Sequence, residues 1–133
     1  MAQSQSPTNQ GYGETGKRMA GELATGVKSC VCIITSCTAN EAQTAAGITK
    51  SADTGLDLVD ADSVKSSTTT VANDTVELDH KFTAVTGDTV LGFGILNDDD
   101  DVLFMICCFA ASVVLAASDT LTIEGKQQYK LGA

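Results

Sequence analysis

From residue 75 to residue 83 the chain alternates between two kinds of side chain. Val76, Leu78, His80 and Phe82 fall on one side of an extended backbone, and Thr75, Glu77, Asp79, Lys81 and Thr83 on the other. A sustained period of two marks a strand with one face in a core and the other in water. Residues 120–131 repeat it, with Leu121, Ile123 and Tyr129 opposite Thr122, Glu124, Lys126, Gln128 and Lys130. Residues 89–96 (TVLGFGIL) predict a further strand, entered through a turn at Gly87-Asp88, with Gly92 and Gly94 sharing one face. Glycines there imply close approach by another backbone or an aromatic side chain. Residues 63–71 predict a Thr-rich strand ended at Asn73-Asp74, and residues 27–35 (VKSCVCIIT) a strand of small and β-branched apolar residues.

Residues 102–117 carry no charge, and Ser112 is their only polar residue. The run is shorter than the roughly 20 residues a membrane span needs. Its flanks are acidic on the N-terminal side and Ser118-Asp119 on the other, without basic anchors. The favoured reading is two buried strands joined by a tight connection, the first over 102–109.

Residues 1–12 are polar and hold the only Pro, a composition that predicts an extended N-terminal arm. Residues 14–25 predict a short helix, with Met19 and Leu23 four apart and Gly26 as its stop. Between 36 and 62 lies a long loop with few apolar anchors (Ile48, Leu56, Leu58 and Val59) and room for one helical turn at 40–46. The expected architecture is one mostly-β domain over 13–133, an antiparallel β-sandwich of jelly-roll or Ig-like type. In the C-terminal half no two strands are separated by a helix-length connector, which argues against βαβ units.

Composition narrows the picture. Aromatics make up 5% of the chain and Trp is absent, so the core must come from aliphatic side chains, Cys and the four Phe. That suits thin two-layer packing better than a deep aromatic-lined pocket. A net charge of -9 argues against a nucleic-acid surface, which needs clustered Lys and Arg. The start of the chain has neither a basic nor an apolar segment of secretory type, so synthesis in a reducing cytosol and thiols that stay reduced are the expectation.

Candidate chemistry is thin. Cys30 and Cys32 point to one face of their strand, Cys37 follows, and Cys107 and Cys108 point to opposite faces of theirs. No CxxC knuckle is present, and buried packing is preferred to a metal or redox role. His80, the only His, lies on an apolar face between Leu78 and Phe82 and reads as a hydrogen-bonded core or interface residue. Asp98, Asp99, Asp100 and Asp101 lack the order of a calcium loop and read as an exposed hairpin tip guarding an apolar strand from edge pairing. Arg18 is the only Arg, and no nucleophile, nucleotide or zinc-protease motif occurs. No catalytic, cofactor-binding or metal residue is assigned, and an enzyme is not expected.

The stretch TVANDTVELDHKFTAVTGDTVLGFGILN, followed by VLFMICCFA and SDTLTIEGKQQYKL, resembles a group of small β-sandwich virion proteins of tailed viruses. The matching elements are Asp79-His80-Lys81-Phe82-Thr83, residues 90–97, and Ser118-Asp119-Thr120-Leu121-Thr122-Ile123. The segment GKRMAGELATG is similar to the N-terminal segment of that group. The resemblance implies a capsid decoration (cement) protein that binds the outer shell and copies of itself, as a cyclic oligomer with a trimer among the options. Its partners would be the major capsid protein or other virion proteins, with neither nucleic acid nor membrane involved. A fibre, turret or tail component binding a receptor or carbohydrate is the alternative.

Overall fold

The computed structural model describes residues 3–22 and 24–129. The chain is mostly strand, and its strands pair antiparallel in two layers. In chain order the elements are β1 (Ser4–Pro7), α1 (Asn9–Met19), β2 (Ser29–Ile33), β3 (Val59–Asp60), β4 (Ser63–Ser67), β5 (Thr75–Thr83), β6 (Gly87–Leu96), β7 (Leu103–Ala116) and β8 (Thr120–Gln128). One sheet has the order β1-β7-β6-β2-β3, the other β4-β5-β8.

Between the sheets lies the larger core: Cys30 and Cys32 from β2, Leu78 and Phe82 from β5, Phe93 and Ile95 from β6, Phe104, Met105 and Cys107 from β7, and Ile123 from β8. The alternation predicted for β5 holds from Leu78 on, with Leu78, His80 and Phe82 buried and Lys81 and Thr83 exposed, but not at its start, where Thr75 is buried and Val76 half-buried. The outer face of the larger sheet carries a second cluster. Val31, Ile33, Leu96, Leu103, Ile106 and Cys108 pack there against Cys37, Ala39, Ala45, Ile48 and Leu58. The loop between β2 and β3 is therefore a cover laid over the sheet. Its backbone also closes the sheet edge: Cys32 N–H donates to Leu56 O (2.9 Å), Ser51 N–H to Cys32 O (3.0 Å) and Ile34 N–H to Thr49 O (2.9 Å). Strand β2 is consequently buried on both faces and along its whole length.

Three expectations change. Within 102–117 there is one strand, β7 (Leu103–Ala116), rather than two joined by a turn, and only its first six residues are buried throughout. Gly92 pairs with Cys108 and Val90 with Val113, so residues 109–112 bulge out opposite Leu91 alone. That bulge takes the place of the expected turn, because it lets one strand bend without leaving the sheet. The second change concerns the expected arm. Residues 4–7 pair with β7, from Ser4 opposite Cys108 to Pro7 opposite Met105.

Third, the helix begins at Asn9 instead of Glu14 and ends at Met19. Thr8 is its N-cap, and its side chain accepts from Gly11 N–H (3.0 Å). The predicted pairing of Met19 with Leu23 fails as a docking stripe: Met19 is 86% exposed, and Leu23 lies outside the described residues. What docks the helix is polar and local. Between Met105 and Leu103, strand β7 has a register shift against β6 that leaves Phe104 extra. The backbone groups freed there are taken up by the helix start: Thr8 N–H donates to Phe104 O (3.2 Å), Leu103 N–H donates to Gln10 Oε1 (2.7 Å), and Thr8 Oγ1 donates to Leu103 O. Gly11 lies so close that a Cβ there would press on Phe104 Cα (2.8 Å).

Candidate functional site

The anchor of the covering loop is Asp53. This carboxylate is 5% exposed and faces the β5–β6 connection. Its Oδ2 accepts from the N–H groups of Thr86 (2.9 Å) and Gly87 (2.7 Å) and from Thr86 Oγ1 (3.2 Å). Its Oδ1 accepts from Val85 N–H (3.0 Å) and from Gly55 N–H (2.8 Å). Donation by Val85 N–H, with that of Gly55, Gly87 and Thr86, holds the carboxyl well below the usual carboxylate range, against the opposing effect of burial. A turn is thus clamped by a charge that a loop thirty residues earlier supplies (~30 residues, well within chain reach). The signal legible in sequence was Asp53-Thr54-Gly55, an Asx-turn pattern, but it does not say which distant amides complete the cradle.

The second anchor is a disulfide between Cys37 and Cys108, with a Cα–Cα distance of 5.7 Å. It corrects the expectation that all five thiols stay reduced. The two cysteines lie 71 positions apart and meet only because the loop folds back over the outer face, toward which Cys108 points. Gly92 makes room for the bond. A Cβ there would collide with Cys107 O and approach Cys37 Sγ (2.8 Å) and Cys108 Cα (3.0 Å). The close approach read from the glycines is thus by backbone and a sulfur, whereas Gly94 faces the aliphatic ends of Leu103 and Ile48.

The other cysteines behave as packing. Cys30, Cys32 and Cys107 are free and buried. Burial is the main cause that pushes the Cys30 and Cys32 thiols up to about 12, and it raises Cys107 as well. Thiols held so far from ionisation are poor nucleophiles and poor metal ligands.

The acidic run forms the expected exposed tip between β6 and β7, and two of its carboxylates are ion-paired there. Asp100 pairs with Lys50 (2.9 Å), which also donates to Ala45 O, and Asp98 pairs with Lys28 (3.4 Å). Asp101 takes part in a polar network centred on the fully buried Asn97: Asn97 Nδ2 donates to Asp101 Oδ1 and to Thr25 Oγ1 (2.9 Å), while Asn97 Oδ1 accepts from Asp101 N–H and Val102 N–H (both 3.1 Å). Thr25 in turn donates through N–H (3.0 Å) and Oγ1 (2.7 Å) to Glu14 Oε2, which lowers the Glu14 pKa. The run does not guard an edge, since β7 lies between β1 and β6. Lys50 of the covering loop and Lys28 before β2 pair instead with Asp100 and Asp98.

No family model, no curated protein and no solved structure matches this chain.

His80 is 9% exposed, edge-on to Phe82 with ring centroids 4.6 Å apart. Its Nδ1 lies 3.3 Å from Asp62 Oδ1, within ion-pair reach, yet makes no aligned hydrogen bond with the described residues. Asp62 also accepts from Lys81 N–H (2.9 Å), so it ties the β3–β4 corner to β5. Asp74 does similar work at the next turn, accepting from the N–H groups of Thr69, Thr70 and Val71. Among the described residues no group of three or more His, Cys, Asp or Glu is placed to hold a metal ion, and no helix is long and apolar enough to cross a membrane.

One open feature among the described residues is a cleft of about 200 Å³ between β1 and β8. Gln5, Ser6 and Pro7 form one wall, Lys126, Gln127 and Gln128 the other, with Tyr12 and Met105 between them. Tyr12 is 52% exposed.

Proposed function

We propose that this chain is a virion structural protein: a capsid decoration protein, built on a β-sandwich of jelly-roll or Ig-like type, that binds the outer shell of a tailed virus and stabilises it through protein–protein contacts. The resemblance in the C-terminal strands motivates the reading. The observation that carries it is the employment of the polar groups. Asp53, Asp62, Asp74, Asp100, Asp101 and the Cys37–Cys108 pair each tie an irregular segment to a sheet or close a turn. A body whose charged and redox-capable side chains are spent on rigidity suits repeated binding to a lattice of neighbours.

The reading differs from the sequence expectation in one respect. Residues 4–12 belong to the folded body, so an arm that orders only on a neighbour is no longer its basis. The test is localisation in purified virions with labelled antibody and copy counting by electron microscopy. Hundreds of copies over the head are expected, and a handful at one vertex or along the tail overturns the reading.

A second reading, a fibre or turret component that binds carbohydrate, is favoured by the cleft. An exposed Tyr12 ring beside glutamine side chains is the kind of surface that neutral sugars use. Binding of the purified protein on a glycan array, lost in Tyr12→Ala, would favour it over decoration.

A further inference from the structure

Five cysteines allow many pairings, and the fold leaves one of them reachable. Cys30, Cys32 and Cys107 lie in the core between the sheets, each 1% exposed or less. Cys37 and Cys108 lie on the outer face of the larger sheet. The sheet itself separates the two sets: Cys107 and Cys108 are chain neighbours, yet their side chains leave β7 on opposite sides. In the folded chain Cys37 therefore meets Cys108 and not Cys107. An unfolded chain makes no such distinction, because positions 107 and 108 are almost equally far from 37 along the sequence.

What brings the two sulfurs together is noncovalent. Cys108 is fixed in β7, opposite Gly92 of β6 on one side and Ser4 of β1 on the other. Cys37 is aimed from the end of β2 by a γ-turn, in which Ser36 N–H donates to Ile34 O (2.8 Å) across Thr35, whose φ is 71°. A β-branched residue keeps that conformation only where its surroundings fix it. Beyond Cys37 the cover is tied to α1, with Asn9 N–H donating to Glu41 O (2.8 Å) and Ala45 N–H to Gln10 Oε1 (3.0 Å). The Lys50–Asp100 pair ties it to the β6–β7 turn. None of these contacts involves the disulfide, so they hold the two thiols in place before it forms.

The two sulfurs differ in access. Cys37 is half-buried between exposed Ser36 and Thr38, whereas Cys108 is 6% exposed. A small oxidant reaches Cys37 first, with Cys108 packed close behind it. The three core thiols stay out of reach, and burial also keeps them from the ionisation that thiol exchange requires.

We infer that the Cys37–Cys108 bond is made after folding, on the finished outer face, and that Cys37 is the entry point for a small-molecule disulfide such as oxidised glutathione. The Cys37 thiolate attacks one sulfur of the oxidant, forms a mixed disulfide and releases one small thiol. The Cys108 thiolate then attacks the Cys37 sulfur, closes the bond and releases the second small thiol. Two protein thiols are oxidised, and the oxidant is reduced to two thiols that take up their protons. The chain can thus fold in a reducing compartment and be locked on reaching an oxidising one, which reconciles the expected cytosolic synthesis with a disulfide. This inference is independent of the virion reading.

The test takes the full chain reduced with a phosphine, removes the reductant, and adds glutathione redox mixtures in buffer or in urea. Samples are quenched with acid and their cysteine pairings mapped by mass spectrometry. In buffer the expected product is the Cys37–Cys108 bond alone, with Cys30, Cys32 and Cys107 still free; in urea, a mixture that includes Cys107 pairings. Closure in buffer should withstand a glutathione mixture at least about a hundredfold more reducing than in urea, since the fold removes the closure entropy of a 71-residue separation. Cys108→Ser should accumulate glutathione on Cys37, whereas Cys37→Ser should leave Cys108 unmodified. Melting curves of the reduced wild type and both variants report whether each is folded. A reduced wild type without a cooperative melting transition, or native oxidation that pairs Cys37 with another cysteine, overturns the proposal. So do equal midpoints in buffer and urea, or glutathione that enters at Cys108 of a folded Cys37→Ser.

Discussion

Reducing the Cys37–Cys108 bond changes no other atom of the chain, which makes it the cleanest perturbation of the covering loop. The bond joins positions 71 apart. The chain-entropy estimate for a closed loop of that size is about 4 kcal/mol of stabilisation at 25 °C. Total stability for a domain is about 5–15 kcal/mol, so the bond is a large share of it. For a chain of this length that energy corresponds to a fall in melting temperature of roughly 12–20 °C. The Asp53 cradle and Lys50–Asp100 pair hold the native loop after reduction, so the fall reports the unfolded chain's regained freedom. The assay is calorimetry with and without a phosphine reductant, beside a thiol count in denaturant. Without reductant three thiols should titrate, those of Cys30, Cys32 and Cys107. A count of five, or a melting temperature that reductant leaves unmoved, would refute the argument.

Asp53→Asn sets an amide N–H₂ against a cluster of backbone N–H donors and should lower the melting temperature. The wild type carries its own pH test. Asp53 and Asp74 have pKa values depressed by folding, so their stabilisation is present above the unfolded value near 3.9 and is lost as pH falls below it. Calorimetry below about pH 4 should show a steep loss in the wild type and a shallower one in Asp53→Asn. Gly92→Ala drives a methyl into Cys107 O and the disulfide sulfur, and should cost about 1–3 kcal/mol in urea unfolding. Cys30 and Cys32, with thiols near 12, should resist iodoacetamide at pH 8 in the native protein and react on unfolding; rapid native alkylation would contradict their burial.

Legibility in the sequence followed how many faces each strand buries. β5 was readable from Leu78 on because one face meets the core and the other meets water, so alternation survives there; at its start Thr75, on the expected water face, is buried. β7 was misread because its first half is buried on both faces, Phe104, Met105 and Cys107 in one cluster and Leu103, Ile106 and Cys108 in the other. Apolar residues at every position erase the period that would have shown a single strand. The helix was displaced because its contacts are a capping Thr and a close glycine, with no apolar stripe to follow. Among the candidate residues, the opposite facing of Cys107 and Cys108 was visible from parity. The pairing of Cys108 with Cys37, and of Asp53 with amides at 85–87, depends on how a loop returns across a sheet, and no local pattern encodes that.

The disulfide also decides what a protease would leave behind. Glu41 and Ala42 are exposed at the crest of the covering loop, an accessible point for a nick. Cutting there separates Cys37 from Cys108 in sequence but not in covalent fact, since the bond crosses the break. Two pieces would travel as one under non-reducing conditions, with β2 still paired in the sheet to β6, and part only when the sulfur bridge is opened.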